Sequence, residues 1–128
     1  MHISVPDAEA LLAPRLQEFE EAFDIKTIDK VGDFYDKDAV LITVGDNVAY
    51  GKEPIKKELL KLLDLFGSNE CNFFDKAYSG TPDHLIYTGQ YEAKKPNGGK
   101  VHGGFEQIWK KINGEFLVIY DKFEIIHA

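Results

Sequence analysis

Few side chains in this 128-residue sequence are placed to do chemistry, and two carboxylates come first. Glu106 lies in the largely apolar run Val101 to Ile112, where strand alternation puts it on one face with His102, Gly104 and Ile108. In an apolar pocket its carboxyl group would be pushed towards the neutral form and would serve as a general acid or base near neutral pH. On an outer face it would instead be a solvated neighbour of Lys110. Carboxylates are seldom buried without partners, so the outer assignment leads. Asp121 follows Phe116-Leu117-Val118-Ile119-Tyr120 and either faces a pocket mouth or ends the buried part of its strand. A histidine beside it would complete an acid–base dyad, but no spacing supplies one, and the structural assignment leads here too.

The remaining reactive residues point away from common chemistries. His2, His84, His102 and His127 show neither HExxH spacing nor a cysteine neighbour, so no metal and no cofactor is expected. Cys71 is the single cysteine, which excludes an internal disulfide, and it sits between Glu70 and Asn72, an acidic setting that disfavours a reactive thiolate. No serine or histidine stands in a nucleophile elbow. The glycines of the run Gly98 to Gly104 bridge two strands, whereas a phosphate-binding loop opens a helix. Fifteen basic against twenty-two acidic residues give a net charge of −7, and the Lys56-Lys57 and Lys110-Lys111 pairs are small and scattered. Nucleic acid and anionic membranes are therefore not expected partners.

The elements that would position these groups follow from periodicity. Leu12, Leu16, Phe19 and Phe23 form one apolar stripe of a first helix, which Pro14 either starts or kinks. Ile28, Val31, Phe34 and Tyr35 continue as a shorter helical stripe with Thr27 at its N-cap. The run 39–44, the turn Gly45-Asp46-Asn47 and the run 48–50 read as a β-hairpin. Pro54, Ile55, Leu59, Leu62, Leu63 and Phe66 mark a third helix closed by Gly67. Strands are then predicted over 73–78, 84–93, 101–112 and 116–126, the last two joined by Asn113-Gly114. Helices gathered in the first half and an antiparallel meander in the second describe an α+β fold. No linker or repeat divides the chain, so residues 1–128 are expected to form a single domain.

Composition agrees. A 44% hydrophobic content with sixteen aromatics supplies a core, and about two-thirds of the surface of a chain this size is buried on folding. No 18-residue apolar run occurs, and the amino-terminal residues lack a basic-then-apolar signal pattern. A cytoplasmic location is the expectation.

Three segments carry a family resemblance. Phe34-Tyr35-Asp36-Lys37-Asp38-Ala39-Val40-Leu41 resembles the helix-to-strand junction of the nuclear transport factor 2-like superfamily, Tyr50-Gly51-Lys52-Glu53-Pro54-Ile55 its next junction, and Gln107-Ile108-Trp109-Lys110-Lys111 with Asn113 to Ile119 its last hairpin. Within that superfamily the chain looks like the small stand-alone proteins similar to the association domain of calcium/calmodulin-dependent kinase II, and the superfamily also holds ketosteroid isomerase. The resemblance implies a cone-shaped curved antiparallel sheet wrapped around three N-terminal helices (a cystatin-like roll), an apolar pocket at the wide end, and a homodimer formed through the outer sheet surface. Alternation in Val101, Phe105, Gln107 and Trp109, and in Phe116, Val118 and Tyr120, points the same way, since both faces of the meander carry apolar residues.

Ketosteroid isomerase works with an Asp base and an oxyanion hole made of a Tyr and a protonated carboxylic acid. Carried over by the resemblance, the Tyr falls on Phe19, the base near Thr43 and the acid near Glu106. Only Glu106 keeps the needed chemistry, so steroid-type isomerisation is not expected. The resemblance implies a ligand pocket lined by Phe19, Thr43 and Glu106, with Asp121 at its mouth. The leading expectation is a dimeric domain that binds a small apolar ligand without catalysis. The alternatives are an isomerase, hydro-lyase or cyclase working on a hydrophobic carbonyl compound through Glu106 or Asp121, and a protein association module.

Overall fold

The computed structural model describes residues 3–22, 27–66, 71–96 and 98–127. His2, Phe23 and Gly67 lie outside the described residues, as does the side chain of Phe66. Helix α1 spans Val5–Ala22 and buries Ala8, Leu12, Leu16 and Phe19. The Ser4 hydroxyl accepts the amide of Asp7 at 3.3 Å and so caps the helix. Pro14 lies inside α1 on its exposed side, where the missing amide leaves the Ala10 carbonyl to solvent.

Helix α2 (Ile28–Gly32) is shorter than its apolar spacing predicts. After Gly32 the amide of Asp33 turns back to the carbonyls of Asp29 and Lys30, and the Phe34 carbonyl accepts the amide of Val118 at 2.7 Å. That bond draws the chain into the sheet, so Tyr35 opens strand β1 (Tyr35–Thr43) and does not extend the helix. Thr27, expected as the cap, donates its hydroxyl to the Ala22 carbonyl and makes no capping bond to α2. Strand β2 (Asn47–Tyr50) completes the hairpin and helix α3 (Lys52–Phe66) follows, burying Ile55, Leu59 and Leu62. The meander is β3 (Cys71–Gly80), β4 (His84–Lys94), β5 (Lys100–Ile112) and β6 (Glu115–Phe123), with a short β7 (Ile126–His127).

The α+β architecture expected from the sequence is present: three helices and a curved, unclosed sheet of order β2-β1-β6-β5-β4-β3. The sheet is mixed, because the meander returns its last long strand beside β1 in the same direction. All the other pairs are antiparallel. Asn113 and Gly114 both have positive φ (51° and 84°), as the two-residue turn predicts. β6 does not run to residue 126. It breaks after Phe123 and resumes as β7 on the same neighbour, with Val101 opposite His127. Gly103 permits this break, since a Cβ there would stand 2.3 Å from the Glu124 carbonyl oxygen.

Register sorts the meander into faces. On the inner face one row runs Leu85, Trp109, Val118, all but fully buried. Phe19 meets the rings of Trp109, Tyr35 and Phe34 edge-on, with centroids 5.7, 6.0 and 5.4 Å away. This aromatic cluster, with Leu12, Leu41 and Ile55, is the centre of the core.

Candidate functional site

One row further along the inner face stand Leu41, Asp121, Gln107, Tyr87 and Tyr78, each opposite the next. Beyond them comes Thr43, Phe123, Phe105 and Gly89, and then Gly103, Tyr91 and Phe73. A polar row is thus followed by aromatic ones. Asp121 is 6% exposed and Gln107 8%. The Tyr35 hydroxyl donates to Asp121 Oδ2 at 2.8 Å, and Gln107 Nε2 donates to the same oxygen at 3.1 Å. Trp109 Nε1 donates to Gln107 Oε1 at 3.0 Å. An indole N–H can only donate, so the Gln107 amide is oriented: its oxygen faces Trp109 and its nitrogen faces Asp121.

The network holds a carboxylate where water is scarce. Burial pushes the Asp121 carboxyl up to about 6, against the opposing pull of the hydrogen bonds from Tyr35 and Gln107. Burial, reinforced by the charge of Asp121, holds the Tyr35 hydroxyl far above the usual phenol range. Asp121 is therefore mostly ionised at pH 7 and Tyr35 stays a donor. Oδ2 takes both hydrogen bonds, and among the described residues none is given to Oδ1 and no cationic side chain pairs with the carboxylate. No buried side-chain polar atom among those residues lacks a partner, so Oδ1 keeps contact with solvent. It is a charged acceptor of the network left for something else.

The aromatic rows are less buried than the core. Phe105 and Phe123 are half-buried and Phe73 is 37% exposed. Phe105 meets Tyr87 and Phe73 with centroids 5.0 and 5.8 Å apart, and Tyr87 stacks on Tyr78 at 5.0 Å. The Phe105 ring lies across Gly89, where a Cβ would come within 2.8 Å of it.

The residues singled out from the sequence do not converge. Phe19 is packed into the aromatic core cluster. Thr43 points inward, but its hydroxyl donates to Glu58 Oε2 at 3.0 Å. Glu58 is 4% exposed and also accepts from Asn47 Nδ2 at 3.1 Å and pairs with Lys61 at 3.2 Å, which ties α3 to the β1–β2 hairpin. Glu106 is half-buried on the opposite face, between Thr88 and Lys122 in register, because it shares parity with His102 and Lys110. It lies across the sheet from Asp121 and cannot share a pocket with it. Among these residues, Asp121 has a polar inner-face environment with an acceptor to spare. Tyr35, Gln107 and Trp109 were not among the expected site residues. Gln107 and Trp109 do share strand parity, which was a usable signal, whereas nothing local marks Tyr35.

No family model matches this sequence, and no curated protein matches it. Solved structures do. A cystatin-like-fold protein of unknown function from Nostoc punctiforme aligns with a TM-score of 0.74 at 19% identity, over 98% of this chain and 96% of the other. A protein named as a calcium/calmodulin-dependent protein kinase II association domain from Xanthomonas campestris aligns at 0.69 and 20% identity, over 97% and 93%. A nuclear transport factor 2-like protein of unknown function from Pseudomonas putida aligns at 0.76 and 11% identity, over 94% and 89%. These likenesses are of fold: the chain has a nuclear transport factor 2-like, cystatin-like fold.

Proposed function

We infer that the chain is a small-ligand-binding domain that acts as a homodimer and carries no steroid-isomerase machinery. The observation that carries this reading is the inner face beside Asp121, where half-buried aromatic residues lie next in register to a buried carboxylate with one unclaimed oxygen. Small-molecule sites combine that kind of apolar lining with a few placed polar groups. The isomerase roles carried by the resemblance stay unfilled: Phe19 has no hydroxyl, Thr43 is engaged with Glu58, and Glu106 faces outward. Titration of the protein with 2-naphthol is expected to shift the resonances of Phe105, Phe123 and the Gln107 side-chain amide. Shifts confined to the outer face would remove the reading. A β,γ-unsaturated ketone is expected to show no turnover, and turnover abolished by Asp121→Asn would make the domain an enzyme instead.

The outer face supports the dimer. In register, Ile86, Ile108, Tyr120, Val40 and Tyr50 form one continuous apolar row across five strands. Tyr50 and Val48 are 65% and 63% exposed. A standard interface removes about 800 Å² of such surface from water per partner. Sedimentation at tens of micromolar is expected to give a dimer, and Ile108→Glu, inside the row between Ile86 and Tyr120, a monomer. A native monomer under those conditions would refute this arrangement.

A further inference from the structure

We propose that the ligand of this site is an organic cation: an ammonium group set against the unclaimed oxygen of Asp121, with its hydrocarbon body on Phe105, Phe123 and Phe73. The proposal rests on the reading that the inner face binds a small molecule. Its starting point is an imbalance of charge. Buried carboxylates are normally paired with a cation or held by several donors. Glu58 shows that arrangement in this molecule, with two neutral donors and Lys61. Among the described residues, Asp121 has donors on one oxygen only, and both are neutral groups.

The surroundings deepen the imbalance. Burial raises the Tyr87 hydroxyl, and the negative charge of Glu20 on α1 adds to it. Burial raises Tyr91 as well, with a contribution from Glu124, whose backbone carbonyl accepts the Tyr91 hydroxyl. Carboxylates of α1, of β6 and of the segment after it thus act on the aromatic rows. Aromatic faces add their own negative potential, and a cation within about 6 Å of a ring centroid is stabilised by it. Phe123 is two residues from Asp121 on the same face of β6, and Phe105 lies diagonally across from it on β5. Such diagonal neighbours in a sheet stand about 7–8 Å apart, the span between an ammonium group and the ring of a short arylalkylamine. A neutral donor would satisfy Oδ1 but leave the charge uncompensated, and an anionic ligand would be repelled.

The test compares two probes of the same shape, 2-phenylethylammonium and 2-phenylethanol, titrated into the full chain at pH 7.5 and followed by chemical shift. Both can donate to Oδ1; only the first carries charge. The cation is expected to bind at least tenfold tighter. Asp121→Asn keeps the network, because its carbonyl can take the place of Oδ2 and accept from Tyr35 and Gln107. It puts an NH2 where Oδ1 stood. It is expected to abolish the preference for the cation, whereas Glu106→Gln on the outer face leaves it intact. Phe105→Leu, at a half-buried position, is expected to weaken the cation several-fold more than the alcohol. Equal binding of the two probes, or a preference that survives Asp121→Asn, overturns the cation and leaves a small-molecule site. Binding of neither probe at the inner face removes both.

Discussion

Gly103→Ala is expected to destabilise the fold by about 3 kcal/mol, while Gly104→Ala, one residue on, lowers stability by less than about 1 kcal/mol. The contrast comes from what each new methyl meets. At Gly103 it would lie 2.3 Å from the carbonyl oxygen of Glu124 and 2.9 Å from its carbonyl carbon, both backbone atoms. They are held in place, since the Glu124 amide donates to the Gly104 carbonyl at 3.0 Å and its own carbonyl accepts the Tyr91 hydroxyl. Relief would require moving the break between β6 and β7, and with it the pairing of Val101 and His102 with the last strand. At Gly104 the nearest atom is the Glu124 carboxylate oxygen at 3.1 Å, at the end of an exposed, flexible side chain that can swing away. Chemical denaturation of the two variants beside the native protein gives the difference directly. Equal losses would mean that the segment after β6 does not cross Gly103 as described.

The same segment shows how far the sequence could be read. Asn113-Gly114 announced its hairpin because the requirement for positive φ at both positions is local. Tyr35 was misplaced onto a helix because Ile28, Val31 and Tyr35 keep helical spacing. What ends α2 is a bond from Phe34 to Val118, more than eighty residues away, and no window of sequence contains it. The orientation of Asp121 was hidden for a related reason. Simple alternation from Phe116 and Val118 puts Tyr120 inside and Asp121 outside. The register shift opposite Ile108 and Trp109 inserts one residue into β6, so Tyr120 faces out beside Ile108 and Asp121 faces in beside Gln107. Glu106, on a stretch of β5 with no such shift before it, follows its parity with Lys110. Glu58 was legible in principle: it stands three residues after Ile55 and four before Leu62, on the buried stripe of α3.

Asp121→Asn is expected to gain on the native protein as pH rises, by up to about 3 kcal/mol between pH 4 and pH 7. The folded carboxyl titrates at about 6, above its ordinary value of 3.8. The native state therefore binds the Asp121 proton more tightly than the unfolded chain does. That contribution is complete below pH 3.8, fades as pH climbs, and is gone above about 6, where the charge must be carried in a buried site. Asparagine keeps both hydrogen bonds and carries no charge, so its stability does not pass through this window. The neighbouring ionisable groups do not confuse the comparison. Tyr35 and Tyr87 hold their protons far above neutral pH, Glu58 is paired with Lys61, and all three are common to both proteins. Urea denaturation of the pair at half-unit steps yields a difference curve, and a flat one would mean that Asp121 is not ionised in a buried site. The curve also reports on the ligand. A bound ammonium group gives the carboxylate the opposite charge that the fold withholds, so saturating 2-phenylethylammonium should shift the native protein's titration to lower pH and shrink the difference at pH 7. A neutral alcohol in the same place leaves the charge uncompensated and shifts the titration less. On the cation proposal, the stability that ionised Asp121 takes from the fold above about pH 6 is what a bound ammonium group returns.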